Sequence, residues 1–124
     1  MNVLIVDDNG DSRLIISTLL KGKGHEVMTA ENGKIALDMI KESVPDMVVT
    51  DILMPVMDGF ELCRQVRANP EYNQVVIIIY TGYYKSPGDI ELGRAIGANE
   101  YIIKPQEPSV FIQLFKKAIL EHKT

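Results

Sequence analysis

A parallel five-stranded sheet with helices on both faces is the fold this sequence predicts, and three observations predict it. Short apolar runs alternate five times with helix-patterned stretches along 124 residues, and such alternation gives parallel strands joined by crossover helices. Two of the runs, Val3-Leu4-Ile5-Val6 and Val75-Val76-Ile77-Ile78-Ile79-Tyr80, are apolar throughout, as expected of strands covered on both faces. Four of the five runs end in a polar group able to act: Asp7 and Asp8 after the first, Asp51 after the third, Thr81 after the fourth, Lys104 after the fifth. The carboxyl ends of parallel strands share one edge, where ligands collect. A second strand with nothing comparable fits the order 2-1-3-4-5, in which it lies at the rim.

Taken in order, Val3–Val6 is the first strand and stops at the two aspartates. After Asn9-Gly10-Asp11, the positions Leu14, Ile15, Thr18 and Leu19, with Ile16 beside them, have helical spacing, and Gly22 and Gly24 close that helix. Glu26–Thr29 is a short second strand. Asn32-Gly33 opens a helix with Ile35, Ala36, Leu37 and Ile40 on one side, ending before Pro45. The third strand is Met47-Val48-Val49-Thr50, and it must end at Asp51 because Pro55 and Gly59 punctuate the next stretch. Gly59–Arg67 is the next helix, terminated by Asn69-Pro70. Val75–Tyr80 has the strongest strand pattern and is expected at the sheet centre. Ser86-Pro87-Gly88-Asp89 carries a helix start, with serine as cap, proline at the first helical position and an acid three after the cap. That helix buries Ile90, Leu92, Ala95 and Ile96 and ends at Gly97. Tyr101-Ile102-Ile103 is the fifth strand, and from Pro108 a last helix presents Val110, Phe111, Leu114, Phe115, Ala118 and Ile119 as one face.

Composition bounds the function. The chain is one domain, residues 1–124, long enough to bury a real core. Thirteen Lys and Arg against seventeen Asp and Glu leave a net charge of -4, which argues against direct nucleic-acid binding. The single cysteine, Cys63, excludes an internal disulfide and fits a reducing cytoplasm. No apolar run approaches the roughly 18 residues of a membrane span, and the N-terminus turns acidic too early for a signal peptide. The expected setting is cytoplasmic and soluble.

Each residue type at the shared edge has a physical reason to be there. Three crowded carboxylates resist full ionisation unless a divalent cation or Lys104 compensates them. Their hard oxygens suit Mg²⁺, which takes one or two carboxylates and keeps waters. An aspartate oxygen is a competent nucleophile toward phosphorus, and a metal and an ammonium group spread the charge on a transferring phosphoryl group. Thr81 offers a hydroxyl to the phosphoryl oxygen. Taken alone, Asp51 would pass for a turn or cap aspartate.

Val6-Asp7-Asp8-Asn9 with Arg13, Asp51-Ile52-Leu53-Met54-Pro55 with Met57-Asp58-Gly59, Thr81-Gly82, Gly97-Ala98 and Tyr101-Ile102-Ile103-Lys104-Pro105 together resemble the receiver domains of two-component response regulators. The motifs span the whole chain in the right order and separations, which is far more specific than any one of them. The resemblance implies a flavodoxin-like three-layer (βα)5 sandwich. It implies that Asp51 is phosphorylated by a histidine kinase or phosphotransfer domain, and that Mg²⁺ (or Mn²⁺) is held directly by Asp8 and Asp51, through water by Asp7, and by the backbone carbonyl of Leu53. Lys104 would pair with Asp51 and then with the phosphoryl group, and a cis peptide bond would precede Pro105. Thr81 and Tyr101 would form the switch pair, altering the face of the fourth helix, fifth strand and fifth helix, where an effector domain, a downstream protein or a second copy docks. Such a chain promotes its own phosphorylation and slow autodephosphorylation without turning over a free metabolite.

The chain also departs from the common pattern. Leu53 and Tyr83, two residues after Asp51 and Thr81, are bulky; the resemblance implies that these two positions flank the path of hydrolytic water, so the phosphorylated state is expected to be long-lived, and Gly82 and Pro105 also flank the site. The loop Gly82–Gly88 carries two tyrosines and is either a partner contact or a lid. Structural roles suffice for Cys63 as a small core residue, for His25 and His122 as isolated solvated histidines, for Arg13 as a support of the acidic loop, and for Lys116, Lys117 and Lys123 near a helix C-terminus. Tyr101 could also be an edge-strand aromatic on the last helix. Two other functions compete: an aspartyl-nucleophile phosphatase of haloacid dehalogenase type, which wants an acid where Leu53 stands, and a receiver-like scaffold that is never phosphorylated. Flavin phosphate would be repelled by Asp7-Asp8-Asn9-Gly10-Asp11. With no effector domain before Thr124, the chain is expected to work alone or as a piece of a larger regulator.

Overall fold

The computed structural model describes residues 1–123. Its elements are β1 (Asn2–Val6), α1 (Gly10–Lys21), β2 (Glu26–Ala30), α2 (Gly33–Glu42), β3 (Met47–Thr50), α3 (Gly59–Ala68), a 3-10 turn (Pro70–Tyr72), β4 (Val76–Thr81), α4 (Pro87–Ile96), β5 (Glu100–Ile103) and α5 (Pro108–His122). The strands form one parallel sheet in the order β2-β1-β3-β4-β5, the predicted topology. The alternation of side chains along each strand divides the core in two. Leu4, Val48, Ile77 and Ile79 face one layer with Ile40, Leu62, Cys63 and Val66 of α2 and α3. Val3, Ile5, Val49, Val76 and Ile78 face the other with Leu20 of α1 and Phe111 and Phe115 of α5. Both phenylalanines are almost fully buried, and burial on that scale contributes about 1.5–3 kcal/mol per side chain.

Polar residues placed just before the helices turn the chain off the sheet. Asn9 accepts the Ser12 N–H, Asn32 that of Ile35 and Asp58 that of Glu61, and Ser86 and Asp89 cap α4 reciprocally as their spacing predicts. Each such cap contributes about 1 kcal/mol.

Several helix faces differ from the sequence reading. In α1 the buried residues are Ile16, Ser17 and Leu20, whereas Leu14 and Ile15 are 66% and 58% exposed. Apolar residues at five neighbouring positions of that helix allow more than one phase, and packing chooses the stripe through Ile16 and Leu20. In α4, Leu92 and Ala95 are exposed, Ile90 and Ile96 half-buried, and only Gly93 is buried. The helix meets the sheet through this glycine: a Cβ there would lie 2.9 Å from the Tyr101 ring and 3.1 Å from Ile79 Cδ1. In α5, Ile112 is buried while Val110 is exposed, and in α2 Ile35 lies at the exposed edge. The central strand is β3, not β4; both are interior strands buried on both faces, so hydrophobicity could not rank them. The histidines are not simply solvated. His122 Nε2 lies 3.2 Å from Glu100 Oε1, and the His25 ring meets Phe115 edge-on at 5.2 Å. Cys63 is a buried core residue as expected.

Candidate functional site

At the carboxyl ends of β1, β3 and β5 the residues far apart in sequence meet. Lys104 Nζ donates to Asp7 Oδ2 at 2.7 Å, Asp51 Oδ2 at 2.9 Å and Ser12 Oγ at 3.1 Å, so all three ammonium protons are committed. The second oxygens of the two buried aspartates are held by backbone: Asn9 N–H donates to Asp7 Oδ1 at 2.9 Å and Ile52 N–H to Asp51 Oδ1 at 2.6 Å. Burial alone would lower the lysine's pKa, but its hydrogen bonds and charge attraction to the two carboxylates outweigh that and hold it above the ordinary value. Arg13 supports the acidic loop from behind, its Nη1 donating to the Asp7 carbonyl at 2.6 Å.

Asp8 differs from its two neighbours. It is exposed, and among the described residues its carboxylate has no hydrogen-bond or ion-pair partner. Three carboxylates and one ammonium line the same cleft, leaving an excess of negative charge and an oxygen-only donor set. Such a set fits a hard divalent cation. An open cleft of about 700 Å³ lies over these groups, lined among others by Asp7, Asp8, Asp51, Leu53, Gly82, Tyr83, Lys104 and Pro105.

The backbone around Asp51 is fixed by the start of α3. Gly59 N–H donates to the Ile52 carbonyl at 2.9 Å, and a Cβ on Gly59 would sit 2.1 Å from the Asp51 carbonyl oxygen. Only glycine lets α3 start this close to the strand end. The intervening loop carries strain, because Val56, 81% exposed, has φ 71°, a left-handed conformation unfavourable for a β-branched residue. The Lys104–Pro105 peptide is cis, as the resemblance implies.

Two of the predicted residues lie behind the cleft rather than in its wall. Thr81 is fully buried, and its Oγ1 accepts the Tyr83 N–H at 3.4 Å. Tyr101 is half-buried against Gly93 and Ile79, and its hydroxyl donates to the Tyr84 carbonyl at 2.5 Å. It therefore packs toward α4 and the tyrosine loop. Burial, then the charges of Asp89 and Asp51 and the neighbouring Tyr84, push its phenol up to about 12. In that loop Tyr84 meets Phe60 edge-on at 6.0 Å, while Tyr83 is 76% exposed at the cleft mouth. Sequence reasoning missed Ser12 and Tyr80, the latter with its ring centroid 5.3 Å from Lys104 Nζ. A serine in the first turn of α1, and a phenol following four aliphatic residues in an otherwise buried run, were the available signals.

Comparison with known proteins gives the family. The family model for the response regulator receiver domain matches residues 3–116. An uncharacterized 14.6 kDa protein of Leptolyngbya boryana is 35% identical over 97% of this chain and 91% of its own length. The transcriptional regulatory protein AfsQ1 of Streptomyces coelicolor is 33% identical over 88% of the chain, which spans 47% of that protein. Among solved structures, the chemotaxis protein CheY4 of Vibrio cholerae superposes with a TM-score of 0.88 at 33% identity, covering 94% of this chain and 97% of that one. With the family model matching nearly the whole chain and the strand-end aspartates and lysine gathered at one edge, the chain belongs to the response regulator receiver domains, the phosphorylation-activated switches of two-component signalling.

Proposed function

We propose that Asp51 is the phosphoacceptor. The observation that carries this is the shared ammonium: Lys104 touches Asp51 and Asp7 at once, so it neutralises the carboxylate before transfer and stands beside the arriving phosphoryl group. The Asp51 oxygen forms the new bond to phosphorus. The bond from phosphorus to the imidazole nitrogen of a phosphohistidine, or to the oxygen of a small acyl phosphate, breaks with its electron pair leaving on that group. Asp8 and Asp51, Asp7 through water and the Leu53 carbonyl would hold Mg²⁺. Bound there, the ion supplies positive charge against the phosphoryl oxygens.

Thr81 and Tyr101 are the switch pair on this reading. The Thr81 hydroxyl turns from the Tyr83 N–H to the new phosphoryl oxygen, and the Tyr101 ring turns inward into the space left behind. The altered surface is that of α4, β5 and α5, offered to an effector domain, a downstream protein or a second copy. Leu53 and Tyr83, beside Gly82 and Pro105 at the cleft, keep hydrolytic water from the acyl phosphate and make autodephosphorylation slow. The donor is a histidine kinase or phosphotransfer domain, and the working place is the cytoplasm; among the described residues no helix is long and apolar enough to cross a membrane.

Incubation with Mg²⁺ and acetyl phosphate tests the reading by intact mass. The wild type should gain one phosphoryl group and Asp51→Asn none. An unmodified wild type, or a modified Asp51→Asn, removes Asp51 from the role. Leu53→Asn and Tyr83→Ala should lose the group faster than wild type, and decay at the parent rate removes the shielding.

A further inference from the structure

Tyr80 precedes Thr81, and the pleat sends the two side chains to opposite layers: Tyr80 lies in the α1/α5 core. Its ring is held from three sides. Phe111 packs on it with centroids 5.0 Å apart and planes tilted 47°. Its hydroxyl accepts the Gln106 N–H at 3.3 Å, just past the cis peptide. The third neighbour is the Lys104 ammonium, 5.3 Å from the ring centroid and within the range of cation–π attraction. Tyr80 is 7% exposed and the Lys104 side chain 20%, so the attraction acts in partly desolvated surroundings at the wall of the cleft.

A lysine brings a compact charge on a flexible, rotamer-rich stem. The three hydrogen bonds of Lys104 fix where its protons point. The Tyr80 ring is a fourth neighbour of the ammonium, presenting its face to it. An aliphatic residue in line with Val76 and Ile78 could pack on Phe111 as well, but it would present no negative face to the cation and no acceptor to Gln106. A phenol in an otherwise aliphatic buried run needs a partner for its polar tip, and here it is the Gln106 N–H of the β5–α5 loop.

We propose that Tyr80 is a positioning residue for Lys104: its ring face fixes the ammonium beside the Asp51 carboxylate. The proposal rests on the reading of Lys104 as the phosphoryl partner. Tyr80 itself need not touch the phosphoryl group.

Tyr80→Phe, which keeps the ring, and Tyr80→Leu, which removes it, separate this from mere core packing. The first readout is the proton chemical shift of the Lys104 ε-methylene by NMR, without Mg²⁺ or phosphodonor. The ring should displace it upfield in wild type and Tyr80→Phe, and Tyr80→Leu should return it toward exposed-lysine values. The second is the rate of mass gain with acetyl phosphate at saturating Mg²⁺. It should fall about 3- to 10-fold in Tyr80→Leu, a factor in the range of a partly desolvated cation–π contact, and recover in Tyr80→Phe. The Mg²⁺ concentration for half-maximal rate should be the same in all three proteins. Lys104 signals at exposed-lysine positions in the wild type, or a Tyr80→Leu rate equal to wild type, overturn the proposal. Should Tyr80→Leu not fold, the wild-type and Tyr80→Phe shifts decide. Absence of any mass gain in the wild type would defeat the phosphoacceptor reading instead, leaving the shift comparison to decide whether Tyr80 holds the lysine.

Discussion

Replacing Gly59 by alanine tests whether the start of α3 sets the position of Asp51. The new Cβ would meet the Asp51 carbonyl oxygen at 2.1 Å, its carbonyl carbon at 2.9 Å and Ile52 Cα at 2.9 Å. All three are backbone atoms, so no side chain can swing aside. Reaching ordinary contact at 3.4 Å requires the helix start and the strand end to part by about 1.3 Å. That separation stretches the Gly59 N–H to Ile52 carbonyl bond, now 2.9 Å, beyond hydrogen-bonding range. Losing the bond costs about 1 kcal/mol and the forced displacement about 1–3 kcal/mol, against a helix-propensity gain of up to about 1 kcal/mol for alanine over glycine. The expected net loss is about 2 kcal/mol, read as a shift in the urea midpoint at constant slope. Phosphorylation by acetyl phosphate should slow as well, because the displaced atoms belong to Asp51. Gly88→Ala is the matched control: its Cβ meets nothing closer than Ser86 Oγ at 3.8 Å, so stability should rise by a few tenths of a kcal/mol up to about 1. Equal stability and equal phosphorylation rates for Gly59→Ala and wild type would refute the reasoning.

Four other outcomes are expected of the same structure. Burial pushes the Cys63 thiol up to about 11, so it should resist thiol reagents at pH 8 until urea is added. Since the folded value lies above the unfolded one, thiolate formation favours unfolding, and stability from this group is intact below the ordinary thiol pKa and lost as pH rises through about 11. Val56→Asn should raise stability by about 1 kcal/mol, because asparagine tolerates the left-handed conformation that valine does not; an unchanged melting temperature counts against strain at φ 71°. Mg²⁺ at a hundred times its dissociation constant should stabilise the wild type by about 2.7 kcal/mol, and Asp8→Asn should lose most of this; an equal gain in both places the ion elsewhere. Amide exchange should be faster throughout the first turns of α4 than in β4 or α5, and equal protection would show that α4 is better packed than its buried surface implies.

How a residue reaches the site decides whether the sequence disclosed it or hid it. Asp7, Asp51 and Lys104 stand at strand ends, and in a parallel sheet the topology alone gathers strand ends, so their meeting was legible from spacing. Ser86 was legible for a similar local reason, since a cap acts within one turn. Ser12 and Tyr80 reach Lys104 through side-chain direction, which depends on the helix phase and on the face of the strand. The misread face of α1 shows the same limit: Leu14, Ile15, Ile16, Leu19 and Leu20 surround much of the helix, and only packing against the sheet chose Ile16 and Leu20. The face of α4 failed differently. The contact that fixes it belongs to a glycine, which hydrophobic patterning counts as nothing.

That glycine bears on how a charge at Asp51 reaches a distant surface. Helices α1, α2, α3 and α5 each bury at least two side chains larger than glycine, whereas α4 buries Gly93 alone. Its C-terminal end is nevertheless tied down, since the Gly97 carbonyl accepts from Arg67 Nε at 2.9 Å and Arg67 also reaches Val75 and Asn99. At the other end the capping box joins Ser86 only to Asp89 of the same helix, and the Tyr101 hydroxyl holds the preceding loop through Tyr84. The helix is therefore anchored at one end and tethered at the other through the Tyr84 loop, which the Tyr101 hydroxyl and the Phe60 ring hold. Little apolar area opposes movement of its N-terminal half, so a change of partner at Thr81, two residues before the Tyr83 whose N–H it now accepts, need supply only a small free energy to shift the loop, the phenol and the helix start together. The same displacement applied to α5 would expose Phe111 and Phe115, at about 1.5–3 kcal/mol each. On the proposed reading, this difference in packing makes α4 the element that moves and α5 the support against which its movement is read.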